Sequence, residues 1–427
     1  MYSVWSKTIL FHNFLPLMAL ANENYLKTPE ISYFDEIEKR VNAFKTIHPN
    51  AKLIRLGVGD VTRPLPNEVL KALHDAVNEQ ADVETFKGYG PPKGYDFLID
   101  KILKEYRSIG VTLDKESIFI SHGAKSEIGN IGHVLGRDNI IAITDPVYPV
   151  YENATIMSGR AGFLNEEDQK WSNIVYLRCS SETNFLPQLP NEKVDVIYLC
   201  NPNNPTGTVL NRVELKHWVD YAIEHRSIIV YDGAYHTYIT EPDIPQSIYE
   251  IKGAKKVAIE IRTYSKSAGF TGLRCGYTVF PPELMVFTKM GEQVQLTKLW
   301  SRRKFNYTNG VSYIVQKAAE ATYSRKGKAE TSELVNYYLI NASIIRNELS
   351  GLGFEVYGGI NSPYIWIGTP EHQPSWKYFQ QLLYENHIVA TPGVAFGMSG
   401  EGYMRFTGFS SREATEEAMK RIRNGSF

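Results

Sequence analysis

The chain has 427 residues, 43% of them hydrophobic and 22% charged, which is typical of a globular protein with two domains or one large domain and an appendage. Its 46 Lys and Arg residues nearly balance its 47 Asp and Glu residues, which argues against a broad nucleic-acid-binding or anionic-membrane-binding surface. The three cysteines, Cys179, Cys200 and Cys275, show no CxxC spacing and are predicted to be buried thiols in a reducing cytoplasm.

An apolar run at residues 5–21 has two interpretations. It resembles a weak signal peptide, but polar residues and a proline interrupt it, and it is too short to span a bilayer. We favour a misassigned upstream start, with Met18 as the initiator, or a short extension. We expect residues 1–23 to be disordered and the chain to be cytoplasmic, with no membrane segment.

From about residue 115 to 280, short apolar runs alternate with helical patterns. The predicted strands are 117–121, 139–146, 194–202, 227–235 and 255–265, and the clearest helices are 123–135 and 214–225. Apolar strands separated by helices indicate a mostly parallel sheet covered on both faces, which binds ligands beyond the carboxyl ends of its strands. The polar residues that end or follow these strands are His122, Asp145, Asn201, Asp232 and Ser265.

The pattern changes after about residue 310. Helical patterns cover 316–323 and 333–349, an alternating strand pattern covers 353–368, and a helix followed by a strand covers 376–393. This mixture predicts a second, smaller α+β domain. We predict an N-terminal segment (24–60) associated with the small domain, a large domain (61–308) and a small C-terminal domain (309–427).

The stretch TYSKSAGFTGLRCGY, residues 263–277, contains one lysine, Lys266, and one arginine, Arg274. Lys266 could be an ordinary solvated loop lysine. Alternatively, a desolvated amine near another cation has a lowered pKa and can form a Schiff base, while a guanidinium is a good phosphate ligand. An aldehyde cofactor that bears a phosphate would use both, and the nearby Gly269 and Gly272 would allow its close approach.

Two strand ends carry further candidates. Asp232, in YDGAY, is either a helix N-cap or a carboxylate that holds a pyridinium nitrogen, and Tyr235 could reach a ring hydroxyl. Asn204, in NPNNPTG, lies in a turn-forming sequence or donates a hydrogen bond to the ring oxygen.

Three other motifs add phosphate, ring and carboxylate ligands. HGAKSE, residues 122–127, opens a helix whose first amides could bind a phosphate or simply start the helix. Tyr148, in YPVY, is placed to stack on a ring, and Arg405, in MRFTGF, is a candidate fork for a substrate carboxylate.

Taken in this order, the motifs resemble those of fold-type I pyridoxal-phosphate (PLP) enzymes of the class I/II aminotransferase family, over nearly all of the chain after about residue 24. The resemblance implies an α/β fold with a mostly parallel seven-stranded sheet between helices and a smaller α+β domain. It implies that Lys266 is the catalytic Schiff-base lysine and proton shuttle. The PLP-binding residues that it implies are Ala124, Lys125, Ser126, Tyr148, Asn204, Asp232, Tyr235, Ser265, Lys266 and Arg274.

Six segments are also similar to the LL-diaminopimelate aminotransferases: 24–27, 38–44, 56–66, 86–95, 269–279 and 309–321. That resemblance implies transfer of an amino group from LL-2,6-diaminopimelate to 2-oxoglutarate, in lysine biosynthesis, by a homodimer with shared active sites. It implies that Tyr89 reaches the phosphate of the neighbouring subunit. The substrate-binding residues that it implies are Tyr33, Gly59, Lys125, Asn309 and Arg405.

Three positions depart from that narrower family. Ser32 stands where a tyrosine is usual, although Tyr33 is adjacent, and His122 stands where an aspartate is usual. Pro92 replaces an acidic residue that would help to hold the distal amino group. An alternative is therefore a related PLP enzyme with a changed amino acid substrate, or one that carries out elimination, decarboxylation or oxidation. Neither a metal site nor a nucleic-acid role is expected.

Overall fold

The computed structural model describes residues 19–30 and 32–425. The predictions for Met18 and for most of the extension at 1–23 therefore fall outside the described residues. In the described part of the chain, no helix is both long and apolar enough to cross a membrane. Cys179, Cys200 and Cys275 are free and buried, as predicted.

Eleven α-helices form within the described residues. They are α1 (Tyr33–Ile47), α2 (Asn67–Glu79), α3 (Asp96–Ser108), α4 (Ala124–Ile131), α5 (Val150–Met157), α6 (Arg212–His225), α7 (Leu296–Tyr307), α8 (Tyr313–Ala321), α9 (Arg325–Gly351), α10 (Ser375–Glu385) and α11 (Arg412–Asn424). The helix predicted at 123–135 is shorter than expected, because α4 gives way to a 3₁₀ turn at Gly132–Val134. Glycine is a poor helix former, and this helix contains one within it and another at its end.

The same residues form seventeen strands. They are β1 (Ile54–Arg55), β2 (Ile118–Ser121), β3 (Ile141–Asp145), β4 (Leu164–Asn165), β5 (Lys170–Trp171), β6 (Ile174–Arg178), β7 (Val196–Cys200), β8 (Ile228–Asp232), β9 (Ala258–Thr263), β10 (Gly276–Val279), β11 (Met285–Phe287), β12 (Gln293–Gln295), β13 (Val356–Gly358), β14 (Tyr364–Gly368), β15 (Ile388–Val389), β16 (Thr391–Pro392) and β17 (Tyr403–Thr407). Each of the five strands predicted from apolar runs is found within its predicted range.

Seven strands form the central sheet in the order β2-β10-β9-β8-β7-β3-β6. β10 runs antiparallel to both of its neighbours, and the other pairs in the sheet are parallel. Alternate residues of β8 enter two different hydrophobic clusters, Ile229 and Tyr231 on one face and Ile228 and Val230 on the other. The sheet is therefore buried on both faces, and the predicted α/β fold is confirmed.

The C-terminal region contains a four-stranded antiparallel sheet, β13-β14-β17-β16. The N-terminal segment contacts this region through a separate two-stranded sheet, in which β1 pairs in parallel with β15. Helix α1 begins with a capping box between Ser32 and Asp35, and its apolar face, which includes Val41 and Phe44, enters the same core as β14 and α10. The domain boundaries at residues 60 and 308 stay a prediction.

A buried ion pair joins α4 to α7. Lys304 Nζ lies 3.0 Å from Glu127 Oε1, both side chains are at most 3% exposed, and Thr278 also donates to the carboxylate. Helix α4 begins within the HGAKSE motif. The ion pair therefore holds in place the helix whose first amides could bind a phosphate.

Replacing Glu127 with Ala should destabilise the protein by about 3 kcal/mol, because the ammonium of Lys304 would stay buried without its counter-charge. Urea-induced unfolding would measure the change. Lys289→Ala is the matched control, because it breaks a fully exposed pair with Asp138 and should leave the unfolding midpoint unchanged. Equal midpoints for both variants would contradict the prediction.

Candidate active site

A cavity of about 420 Å³ lies at the carboxyl ends of the central strands, where a parallel sheet binds its ligands. The central sheet contributes residues that end or follow β7, β8 and β9, and the C-terminal sheet contributes residues of β14 and β17. The lining residues are Phe34, Val58, Gly59, Asp60, Ala124, Lys125, Ile128, Tyr148, Tyr151, Cys200, Asn204, Asp232, Ala234, Tyr235, Thr263, Ser265, Lys266, Thr271, Arg274, Tyr364 and Arg405.

Lys266 lies three residues after the end of β9 and is partly exposed to the cavity. Its Nζ donates a hydrogen bond to the carbonyl oxygen of Gly59. Removal from bulk water lowers the pKa of Lys266 to about 8, which the carboxylate of Asp60 opposes and the guanidinium groups of Arg405 and Arg274 reinforce. A minor fraction of this amine, far larger than for an ordinary lysine, is therefore neutral and able to act as a nucleophile or base near neutral pH.

Asp232 ends β8 and is buried. The hydroxyl of Tyr151 donates to its Oδ2 at 2.8 Å, and the amide of Ala234 donates to its Oδ1 at 3.0 Å. Burial raises the pKa of Asp232 to about 6, and both hydrogen bonds act in the opposite direction. The carboxylate is therefore ionised at neutral pH in a place where an apposed cation would be strongly favoured.

Arg405, on β17, is only 3% exposed. Its Nη1 donates to Asn204 Oδ1 and its Nη2 to the carbonyl oxygen of Gly57, both at 2.7 Å. Its Nε is buried without a hydrogen-bond partner, and the ring of Tyr364 lies 4.6 Å from the guanidinium. Because no described carboxylate pairs with this charge, the site fits an anionic ligand such as a carboxylate.

A second anion site lies at the start of α4. Gly123 has φ of +96°, and a Cβ added there would lie 2.8 Å from Arg274 Nη2. Helix α4 has no side-chain N-cap, so its first amides, at Ala124 and beyond, are available to a ligand. Ser265 Oγ lies 3.5 Å from Arg274 Nη1 and accepts from Thr263 Oγ1. Helix amides, a guanidinium and a hydroxyl together suit a phosphate.

Three tyrosines line the space between these charges. Tyr235 and Tyr364 share a hydrogen bond of 2.7 Å between their hydroxyl groups. Tyr148 lines the cavity half-buried, and burial raises its pKa to about 12. A planar ring that carries a phosphate, a cationic nitrogen and an aldehyde therefore has a matching group at every position.

Four predicted site residues do not line this cavity. The hydroxyl of Ser126 donates to the carbonyl oxygen of Gly123 at 2.8 Å, although its amide belongs to the first turn of α4. Tyr33 is exposed at the start of α1, and Phe34 lines the cavity instead. Tyr89 is 91% exposed and Asn309 is also exposed. The predicted roles of Tyr89 and Asn309 require a neighbouring subunit and stay predictions.

Sequence reasoning missed several contributors. Tyr151 lies three residues after Tyr148 in the same YPVY motif, so the signal was present but was assigned to the first tyrosine alone. Tyr364 lies in the alternating strand pattern of the C-terminal region, and only the folded chain brings it to Tyr235. Asp60 also lines the cavity near Lys266. Its position directly after the predicted site residue Gly59 was the available signal.

Comparison with known proteins shows the family to which the chain belongs. The family model described as aminotransferase class I and II matches residues 51–422. LL-diaminopimelate aminotransferases of Phocaeicola vulgatus and Parabacteroides distasonis are 55% and 56% identical to the chain over 407 residues, which is 95% of this chain and 99% of each relative. A solved structure, L,L-diaminopimelate aminotransferase from Chlamydomonas reinhardtii, superimposes with a TM-score of 0.88 at 38% identity, covering 96% of this chain and 99% of that one. The chain therefore belongs to the class I and II aminotransferase family.

Proposed function

We propose that the chain is a PLP-dependent LL-diaminopimelate aminotransferase, which moves an amino group from LL-2,6-diaminopimelate to 2-oxoglutarate in lysine biosynthesis. The observation that carries the proposal is the placement of Lys266, Asp232 and Arg405 around one cavity, each without an ion-pair partner among the described residues. Relatives named for this activity are more than half identical over nearly the full length, which supports the choice of substrate.

PLP fits the groups that line the cavity. Arg274, Ser265 and the first amides of α4 would hold its phosphate, and Asp232 would pair with its ring nitrogen. Tyr148 would stack on the ring, while Asn204 and Tyr235 would bind its hydroxyl group. When bound, PLP supplies an aldehyde that captures amines and a ring that withdraws electrons from the α-carbon.

Lys266 lines the cavity with an amine of lowered pKa, which can serve both as the attachment point and as the acid–base group. Its pKa of about 8 lets Nζ accept the α-proton of a bound amino acid and give it back. Arg405 would bind the α-carboxylate as a fork, which fixes the α-carbon near Nζ. Lys125, at the cavity wall, could meet the distal carboxylate of a long substrate.

We also propose a homodimer with shared sites and a cytoplasmic location. The exposed aromatic residues Tyr89, Phe305 and Tyr307 suit an interface with a second copy, from which Tyr89 and Asn309 would reach the neighbour's cavity.

The substrate can be tested by mixing the PLP-loaded protein and 2-oxoglutarate with single amino acids: LL- and meso-diaminopimelate, lysine, ornithine and arginine. Glutamate should form only with LL-diaminopimelate, and sustained turnover should require 2-oxoglutarate. A different donor, with diaminopimelate silent, would mean that Ser32, Pro92 and His122 mark a changed pocket. Turnover without 2-oxoglutarate would indicate elimination, decarboxylation or oxidation.

The rate at which PLP becomes covalently attached to the apo-protein should rise with pH and reach half its maximum near pH 8, because only the neutral amine of Lys266 attacks an aldehyde. Borohydride trapping followed by mass spectrometry of the peptide would measure it. Lys266→Ala should show no attachment, yet still bind PLP noncovalently. A midpoint near 10.5, the ordinary value for lysine, would contradict the environment described for this amine.

Replacing Arg405 with Lys should lower kcat/KM for LL-diaminopimelate about tenfold to a hundredfold, because an ammonium cannot form the same fork with a carboxylate. Steady-state kinetics would measure the loss for both the amino acid and 2-oxoglutarate. Arg107→Lys, at an exposed position on α3, is the matched control and should behave as the unmodified protein. An unchanged kcat/KM in Arg405→Lys would refute the carboxylate-binding role.

A further inference from the structure

Tyr151 lies directly behind the carboxylate that closes β8. It is the second residue of α5, it is 2% exposed, and its hydroxyl donates to Asp232 Oδ2 at 2.8 Å. None of the residue roles in the proposed reaction uses this tyrosine.

The surroundings of Asp232 leave few other groups to stabilise its charge. Tyr148 and Tyr151, around the start of α5, and Cys200, its partner on β7, are the titratable groups that face it. Within the described residues no lysine, arginine or histidine forms an ion pair with it. The phenol of Tyr151 and the amide of Ala234 are therefore its two hydrogen-bond donors.

The ring of Tyr151 is held firmly in place. It stacks on the ring of Tyr198 with centroids 5.2 Å apart and an interplanar angle of 20°. It also meets the ring of Tyr148 edge-on, with centroids 6.0 Å apart. A hydroxyl on a ring fixed in this way is already oriented toward the carboxylate, so little entropy is lost in forming the bond.

We propose that Tyr151 is a positioning residue that keeps Asp232 ionised and oriented toward the ring nitrogen of the cofactor. This inference rests on the proposed function, since it assumes that Asp232 pairs with that nitrogen. The same ring contacts Tyr148, so one side chain supports both the residue that would pair with the ring nitrogen and the residue that would stack on the ring.

Removal of the Tyr151 hydroxyl should change the pKa of Asp232 in one direction only. A hydrogen bond to the ionised carboxylate favours that form, so its loss raises the pKa of Asp232 above its present value of about 6. A larger fraction of the carboxyl group is then neutral near pH 7. A neutral carboxyl group holds a cationic ring nitrogen less tightly, so PLP should bind more weakly.

Tyr151→Phe and the matched control Tyr198→Phe separate this role from packing, because each removes one hydroxyl from the same stacked pair. In apo-protein labelled with ¹³C at aspartate Cγ, with Asp232→Asn to identify the signal, the Asp232 titration should move up by about one pH unit in Tyr151→Phe. It should not move in Tyr198→Phe. An unmoved titration in Tyr151→Phe would overturn the proposal.

Ligand binding provides a second readout. In a Lys266→Ala background, where PLP binds only noncovalently, adding Tyr151→Phe should weaken binding of PLP about tenfold, but not binding of an analogue whose ring nitrogen is replaced by carbon. A folding defect would weaken the binding of both ligands equally, so the ratio of the two affinities is unaffected by it. Equal loss for both ligands would show that Tyr151 acts only through packing. The apo-protein titration needs no cofactor, so a chain that bound no PLP would refute the proposed function while the titration still decided the coupling of Tyr151 to Asp232.

Discussion

Desolvated charges that have no ion-pair partner among the described residues are the constraint around which this cavity is built. Lys266, Asp232 and Arg405 are withdrawn from bulk water, and neutral groups such as the Tyr151 hydroxyl and the Asn204 amide are bonded to them within the described chain. Hydrogen bonds to neutral groups offset only part of the cost of burying a charge. The cavity therefore favours ligands that bring the complementary charges, which in the proposed function are the cofactor at Asp232 and a substrate carboxylate at Arg405.

The fold explains how these charges come together. Along a parallel sheet buried on both faces a charged side chain needs a partner, as Glu260 and Arg262 on β9 have in each other, so unpaired charges gather where strands end. Asp232 ends β8 and Lys266 follows β9. Arg405 comes instead from β17 in the C-terminal sheet, and its bonds to Gly57 and Asn204 tie that sheet both to the N-terminal segment and to the turn after β7.

The central strands and their polar ends could be predicted from the sequence, because apolar runs and the residues that follow them are local signals. Strand β10 was not predicted, because Gly276–Val279 lies in a glycine-rich motif that is typical of a loop. Its antiparallel pairing also depends on β2 and β9, which are distant in the sequence or on the other side of that motif. The bond between Tyr235 and Tyr364 joins residues 129 positions apart, and no local pattern reports such a contact. The role proposed for Tyr151 could not be predicted from the sequence, because it depends on the direction of the side chain, and a three-residue spacing from Tyr148 does not give that direction.

The start of α1 shows how a local requirement shapes the pocket. Ser32 is used as the N-cap, which leaves Tyr33 exposed and directs Phe34 to the cavity. The ring of Phe34 meets that of Phe396 edge-on at 6.2 Å, and Phe396 lies 4.5 Å from the guanidinium of Arg405. An apolar wall beside a cation excludes water and strengthens its attraction for a carboxylate. It offers no hydrogen bond to an amino group, so under the proposed function this wall would strengthen binding of the α-carboxylate, and discrimination at the far end of the substrate would come from charged groups elsewhere in the cavity.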